Sequence, residues 1–283
     1  MIKRLTALFM ASVCTLSLCY AQNNNIFSYK VGDYEVILLS EGQSDNKTDK
    51  LIGATPEILR ETVPDGTYKT AVNTFLVKTP DKIYLIDTGF GRNLWTNLDA
   101  IGVSPEQINV VVLTHMHGDH TGGTLKDGVV AFPNAHLILS APEYVYWIEE
   151  AKQENASRIV NLYGERVQVV TPEQLEKKQG DGIYFIEAYG HTPGHMACLL
   201  QSGDEELLIW ADLTHAMAVQ MPYPEIALTY DSNPEMAVNS RKRILEYVAE
   251  NEITIAGMHI AYPAMGEIKA SPEKGYLFTP CSK

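Results

Sequence analysis

The chain has 283 residues, 45% of them hydrophobic, and a formal net charge of −13 from 22 basic and 35 acidic residues. That length and apolar content can bury a substantial core. The acidic balance leaves no electrostatic footprint for nucleic acid or an anionic membrane surface, so neither is expected as a partner.

Lys3 and Arg4 precede an apolar or small stretch from Leu5 to Leu18. Cys19-Tyr20-Ala21 then leads into Gln22-Asn23-Asn24-Asn25. This is the layout of a secretory signal peptide over residues 1–21, with an apolar stretch shorter than a membrane span requires. It predicts a secreted or periplasmic protein. Lipid attachment at Cys19 is the rival reading, and Leu18 is a poor residue before such a cysteine. Residues 22–283 are expected to form a single domain, because no Pro/Ser linker or low-complexity tract divides them. Cys198 and Cys281 remain after cleavage. Export permits them to pair, but a buried Cys198 and a free Cys281 is the expected state.

Residues 31–39 and 74–77 read as strands, and 82–86 as another that ends at the turn Asp87-Thr88-Gly89. Residues 94–101 look helical. Ser104-Pro105-Glu106-Gln107 is a helix start, with serine as cap and proline at the first position. Residues 110–113 are continuously apolar, as in a strand buried on both faces. Further strands fit 137–139, 167–170, 183–187, 197–201 and 207–211. Helical character marks 141–151 and 234–249, the second with Asn233 as its cap. Residues 253–256 read as a last buried strand. Strands with helices between them predict a layered α/β domain.

The informative segment is Thr114-His115-Met116-His117-Gly118-Asp119-His120-Thr121-Gly122-Gly123, where four potential ligands fall within six residues. After a strand, His115 and His117 point the same way because alternate residues share a face. Gly118 is expected to let the chain turn sharply, so that Asp119 and His120 face the same space from the next helix. Neutral imidazole and carboxylate are natural zinc ligands, and this set exceeds what one tetrahedral ion needs. A surface or hydrogen-bonded core histidine would not come in such a cluster. His191 opens Gly190-His191-Thr192-Pro193-Gly194-His195 after a strand, Asp212 ends an apolar run, and His259 follows 253–256 through Gly257. Each stands where a buried strand releases the chain into a loop. Singly, Asp212 could be a turn residue and His195 a structural one.

This order of residues resembles the metallo-β-lactamase superfamily over essentially the whole chain after the signal. The turn Leu85-Ile86-Asp87-Thr88-Gly89 and the Gly-His-Thr-Pro-Gly-His stretch match its other landmarks. The resemblance implies an α/β, four-layer αββα sandwich with two sheets face to face and helices outside. It implies that His115, His117 and His191 hold one metal, that Asp119, His120 and His259 hold another, and that Asp212 bridges them. His195 and Asp87 take supporting places around the ligands. The implied cofactors are two divalent metal ions, with zinc suiting the ligands best and iron, manganese or cobalt open. Two such ions about 3.5–4 Å apart share a water and lower its pKa, so a metal-bridging hydroxide is the implied nucleophile. Asp119 is a candidate for holding its proton.

Within the superfamily the zinc β-lactamases carry a cysteine where this chain has Asp212, and the di-iron oxygen reductases a glutamate where it has His117. Glyoxalase II enzymes have a C-terminal helical region that is not evident here, and an acidic exported protein would meet no tRNA. The stretches Trp210-Ala211-Asp212-Leu213-Thr214-His215 and 257–266 look like the methyl parathion hydrolase-like group and the N-acyl homoserine lactonases. In many such lactonases a tyrosine three residues after the bridging aspartate bonds the substrate carbonyl. His215 stands there, either as a catalytic donor or as a structural histidine. An apolar pocket would suit acyl chains, with Trp95, Met217, Tyr223 and Tyr262 as candidate walls or, equally, as ordinary core residues. The expected function is a lactonase/esterase acting on small molecules of the N-acyl homoserine lactone type, a quorum-quenching role. Alternatives are an organophosphate or aryl ester hydrolase, a β-lactamase, and, from another class, a non-catalytic metal-binding scaffold. The oligomeric state is open, a homodimer included.

Overall fold

Branched and aromatic residues in period-two runs form the strands that build this fold. The computed structural model describes residues 25–178 and 181–282, so the predicted signal peptide over 1–21 lies outside the described residues. The first sheet has seven strands that neighbour one another in chain order. They are β1 (Ile26–Val31), β2 (Tyr34–Lys47), β3 (Thr67–Lys78), β4 (Ile83–Ile86), β5 (Val110–Val112), β6 (His136–Ser140) and β7 (Val167–Val170). β1 to β4 run antiparallel, and β4 to β7 are parallel. The second sheet has six strands, again in chain order. These are β8 (Ile183–Glu187), β9 (Met196–Ser202), β10 (Glu205–Ile209), β11 (Thr254–Ala256), β12 (Met265–Ala270) and β13 (Tyr276–Pro280), parallel only between β10 and β11.

The sheets pack face to face. Val36, Leu38, Phe75, Val77 and Ile86 of the first share one core with Phe185, Cys198, Leu200 and Leu207 of the second. Leu39, Leu76, Leu85, Val111 and Leu139 face outward and are covered by helices α2 (Leu94–Ala100) and α5 (Glu154–Tyr163). Helix α7 (Pro234–Glu250) lays Ile244, Leu245 and Val248 on the second sheet. This is the expected αββα layering, since each sheet has two apolar faces to cover. Among the described residues no helix is long and apolar enough to cross a membrane.

Several local expectations change. The run 31–39 is not one strand, because Gly32 (φ +53°) and Asp33 turn the chain between β1 and β2. A Cβ at Gly32 would lie 2.5 Å from the Ser202 carbonyl oxygen. Ser104 does cap Pro105–Gln107 in a capping box, but only a single 3-10 turn follows. Residues 141–151 split into α4 (Ala141–Tyr144) and a π-helical turn, Val145–Glu150. Residues 253–256 are not the last strand, since the β12–β13 hairpin completes the second sheet. Asn233 caps α7 as expected, its side chain accepting from the Met236 amide at 3.1 Å. Cys198 and Cys281 are both free, the first buried.

Candidate metal centre

The carboxyl ends of β5, β8, β10 and β11 meet at one edge of the sandwich, and the predicted ligands come from the loops that leave them. After β5, His117 stays extended (φ −64°, ψ 156°) and helix α3 (Gly118–Thr121) begins behind it. The sharp turn does not rest on Gly118. It is the first residue of a right-handed helix, and a Cβ there would meet open space. The close approach that needs glycine lies next door, where a Cβ on Gly122 would come within 2.6 Å of the Phe90 backbone.

All seven predicted ligands converge. His117 Nδ1 lies 3.0 Å from His115 Nε2 and 3.1 Å from His191 Nε2. Asp119 Oδ2 is 3.7 Å from His120 Nε2 and 3.5 Å from His259 Nε2. Asp212 stands between the two groups. Its Oδ2 is 3.2 Å from His191 and 3.0 Å from His259, and its Oδ1 is 3.2 Å from His120. His115, His117, His191 and Asp212 could hold one ion, and Asp119, His120 and His259 another.

The outward nitrogens are tied down. His120 Nδ1 donates to Asp87 Oδ2 at 2.7 Å, and His259 Nδ1 to the Ala71 carbonyl at 2.7 Å. Asp87 also accepts from the Thr114 amide and hydroxyl, and takes a left-handed φ of +59°, which aspartate tolerates better than most residues. His195 donates from Nδ1 to the Ala188 carbonyl and accepts the Asp212 amide on Nε2, so it fixes the backbone of the shared carboxylate. Two further anchors escaped sequence reading. Asp231 Oδ1 accepts from His191 Nδ1 at 2.9 Å. The buried Glu143 accepts from the Met116 and Gly194 amides and from Thr192 Oγ1, joining both histidine loops. Neither had a signal beyond an acidic residue close to a helix start.

The electrostatics suit cations. Burial lowers His117 to about 4 and His195 to about 3, leaving both neutral near pH 7. Burial opposes protonation of His191, but hydrogen bonds to Asp212 and Asp231 push it up to about 9. Burial would raise the Asp212 carboxyl, yet the imidazoles of His120, His259 and His115 hold it well below the usual range. Buried His120 Nε2 and Asp212 Oδ1 are close together, but neither completes a hydrogen bond. Three imidazole nitrogens aimed at one another at 3.0–3.1 Å cannot all be hydrogen-bonded. Ligand atoms about 2.0–2.1 Å from a tetrahedral zinc would stand roughly 3.3 Å apart, close to this spacing. The donor set fits divalent cations.

A cavity of about 630 Å³ opens over these residues. His215 reaches its floor, stacked on His259 with centroids 4.3 Å apart and with Nε2 3.0 Å from Asp212 Oδ2. The expected apolar walls lie elsewhere. Trp95 stacks on Phe132 in the outer core, Tyr223 donates to Glu61, and Met217 and Tyr262 pack against the core between the sheets. Their closeness in sequence to ligand segments does not turn them toward the cavity. Its walls are mixed, with Gln43, Asn46, Thr70 and Arg92 beside Ala71, Val72, Phe90 and Tyr230.

Comparison with known proteins agrees with this geometry. The metallo-β-lactamase superfamily model matches residues 67–254. Similar solved structures include a hydrolase of the β-lactamase superfamily, AbOPH, with TM-score 0.80, 28% identity and coverage of 92% of this chain and 98% of that one. Another is AidC, a dizinc quorum-quenching lactonase in complex with a product, N-hexanoyl-L-homoserine, with TM-score 0.82, 26% identity and the same coverages. Among curated relatives, an atrochrysone carboxyl ACP thioesterase of Aspergillus chevalieri is 27% identical over 66% of this chain and 55% of its own length. An N-acyl homoserine lactonase of a Bacillus species is 28% identical over 55% of this chain and 57% of its own length. The matched region thus spans about half the length of these curated relatives.

Proposed function

The chain belongs to the metallo-β-lactamase superfamily and is a hydrolytic enzyme, and from that premise we propose that it is a two-metal lactonase or esterase for small acyl substrates. The observation that carries this reading is Asp212, an aspartate between two complete ligand groups with His215 beside it on the cavity floor. In the proposed assignment His115, His117 and His191 hold one cation, Asp119, His120 and His259 the other, and Asp212 both. When bound, such a pair would supply a water acidified toward neutrality and a Lewis acid for the substrate's carbonyl oxygen.

The protein's own groups do the positioning. Asp87, Asp231 and the Ala71 carbonyl fix the rings of His120, His191 and His259 from behind, and His195 fixes the Asp212 backbone. Asp119, whose side chain is 24% exposed at the cavity floor, would take up the proton lost by the attacking water and return it to the departing alkoxide oxygen. His215 offers an imidazole to the carbonyl oxygen, its orientation set by the stack on His259. The dizinc lactonase AidC, similar over 92% of this chain, supports lactone opening. The relatives named as ACP thioesterases favour a second reading, thioester hydrolysis, which uses the same acyl-transfer geometry.

Metal analysis of the purified protein, with the same sample assayed on N-hexanoyl homoserine lactone, an aryl ester, an acyl thioester and methyl parathion, tests the proposal. About two ions per chain and chelator-sensitive turnover of the lactone or ester are expected. Turnover of the thioester alone would select the second reading, and phosphotriester turnover alone would refute both. Fewer than one ion per chain would show that the ligand assignment is wrong.

A further inference from the structure

Six arginines lie among the described residues, and five of them donate hydrogen bonds from the guanidinium. Arg60 bonds Glu57, and Arg158, Arg166, Arg241 and Arg243 bond backbone carbonyls. Arg92 is the exception. Its guanidinium lies over the Phe90 ring, 4.7 Å from the centroid, and among the described residues no carboxylate or carbonyl accepts from it. Arg92 is exposed, so its charge is left to solvent or to a bound anion. It borders the cavity over the proposed metal site, together with Phe90.

The segment that carries Arg92 is held firmly. Glu41 spends both carboxylate oxygens on it, accepting the Phe90 amide at 2.9 Å and the Arg92 amide at 2.6 Å. Asn93 Nδ2 donates to the Glu41 carbonyl at 2.8 Å, and a Cβ on Gly91 would come within 2.8 Å of Gly123 behind helix α3. The guanidinium is therefore presented from an anchored loop. Glu41 bonds the backbone of this loop, and among the described residues it forms no ion pair with the guanidinium. Asp119 and Asp212, the other acids bordering the cavity, are committed to the cations in the proposed assignment.

We infer that Arg92 makes this cavity select esters or lactones whose acyl group ends in a carboxylate, which the guanidinium fork binds above the Phe90 ring while the scissile carbonyl sits on the floor. The inference rests on the lactonase or esterase reading. A guanidinium matches a carboxylate with two parallel hydrogen bonds, and the ring beneath it limits the orientations it loses on binding. Because Arg92 is exposed, the gain belongs at the low end for a charge-assisted pair, about tenfold in affinity.

The test uses two p-nitrophenyl esters of equal acyl length, the adipate monoester and the neutral hexanoate, with metal-replete protein. The ratio of kcat/KM for adipate over hexanoate is expected near ten in the natural protein, near one in Arg92→Gln, and intermediate in Arg92→Lys. Added salt should shrink the ratio in the natural protein and leave it unchanged in Arg92→Gln. An equal ratio in the natural protein and Arg92→Gln, or a natural preference for hexanoate, would overturn the inference while hexanoate turnover kept the esterase reading intact. If neither ester turns over, that reading fails, and calorimetry with the monoanilide of adipic acid decides Arg92 separately. Binding about tenfold weaker in Arg92→Gln upholds the role. Equal binding overturns it and points to capture of the carboxylate by the metals.

Discussion

His191 illustrates what a single residue needs in order to act as a ligand. Its Nε2 faces the centre only because Asp231 holds Nδ1 at 2.9 Å, and Asp231 itself is fixed by the Leu228 amide at 2.8 Å. Asp231→Asn keeps the shape but weakens this hold. A loss of about 10- to 100-fold in metal affinity is expected, with the far-UV spectrum unchanged. Competition with a chromogenic chelator measures it, and unaltered affinity would show that the carboxylate is only a turn residue. The seven ligand candidates were legible in the sequence because each joins a metal-binding side chain to a visible strand end. Asp231 was not, since Tyr230-Asp231-Ser232-Asn233 reads as a solvated turn before a helix. Burial of such a carboxylate is a tertiary property. Of the two readings given for Tyr262 and Trp95, cavity wall or ordinary core residue, the structure bears out the second: closeness along the chain to ligand segments says nothing about which way a ring faces.

The short helix α4 does more than its four residues suggest. Its Glu143 draws in the Met116 amide from the loop after β5, and Thr192 and the Gly194 amide from the loop before β9. Trp147 Nε1, from the π-helical turn that follows, completes the set. One carboxylate thus joins loops that belong to different sheets. Glu143→Gln would turn an amide N–H₂ toward buried donors, at a cost of about 2–4 kcal/mol. A lower urea midpoint and a parallel loss of metal affinity are expected. An unchanged midpoint would mean that the loops are held by other contacts. The sequence revealed a helical stretch over 141–151 but not its task, nor its division at Tyr144. The short buried strand β5 was read well because its run is wholly apolar, while β10 was placed two residues late because it opens on Glu205 and Glu206. The β2–β3 extension over 40–47 and 67–73 and the β12–β13 hairpin were missed because their residues are mixed and partly solvated, and cross-strand pairing defines them.

At the scale of the whole molecule the site belongs to neither sheet alone. His115, His117, Asp119 and His120 follow β5 in the first, while His191, Asp212 and His259 leave strands of the second. Cations held by both sets, as proposed, would tether one sheet to the other. Ligand at about 1,000 times its dissociation constant stabilises the folded state by about 4 kcal/mol. In a chain of this size each kcal/mol moves the melting midpoint about 2–4 °C, so stripping the metal should lower it on the order of 10 °C. Calorimetry before and after chelation checks this, and re-addition of zinc should restore the midpoint. A midpoint indifferent to chelation would place the metals outside the fold's support. With the proposed ions bound, the same division of ligands between sheets would make cation capture a proofreading step in assembly. A slip of one residue between β9 and β10 would turn every side chain of the slipped strand to the opposite face and draw the backbone leading to Asp212 out of place. The first sheet would then offer its four ligands alone and surrender its ions to any competing chelator. Only a chain whose halves had met in the correct register would retain them, so metal retention would report correct docking before any substrate arrives.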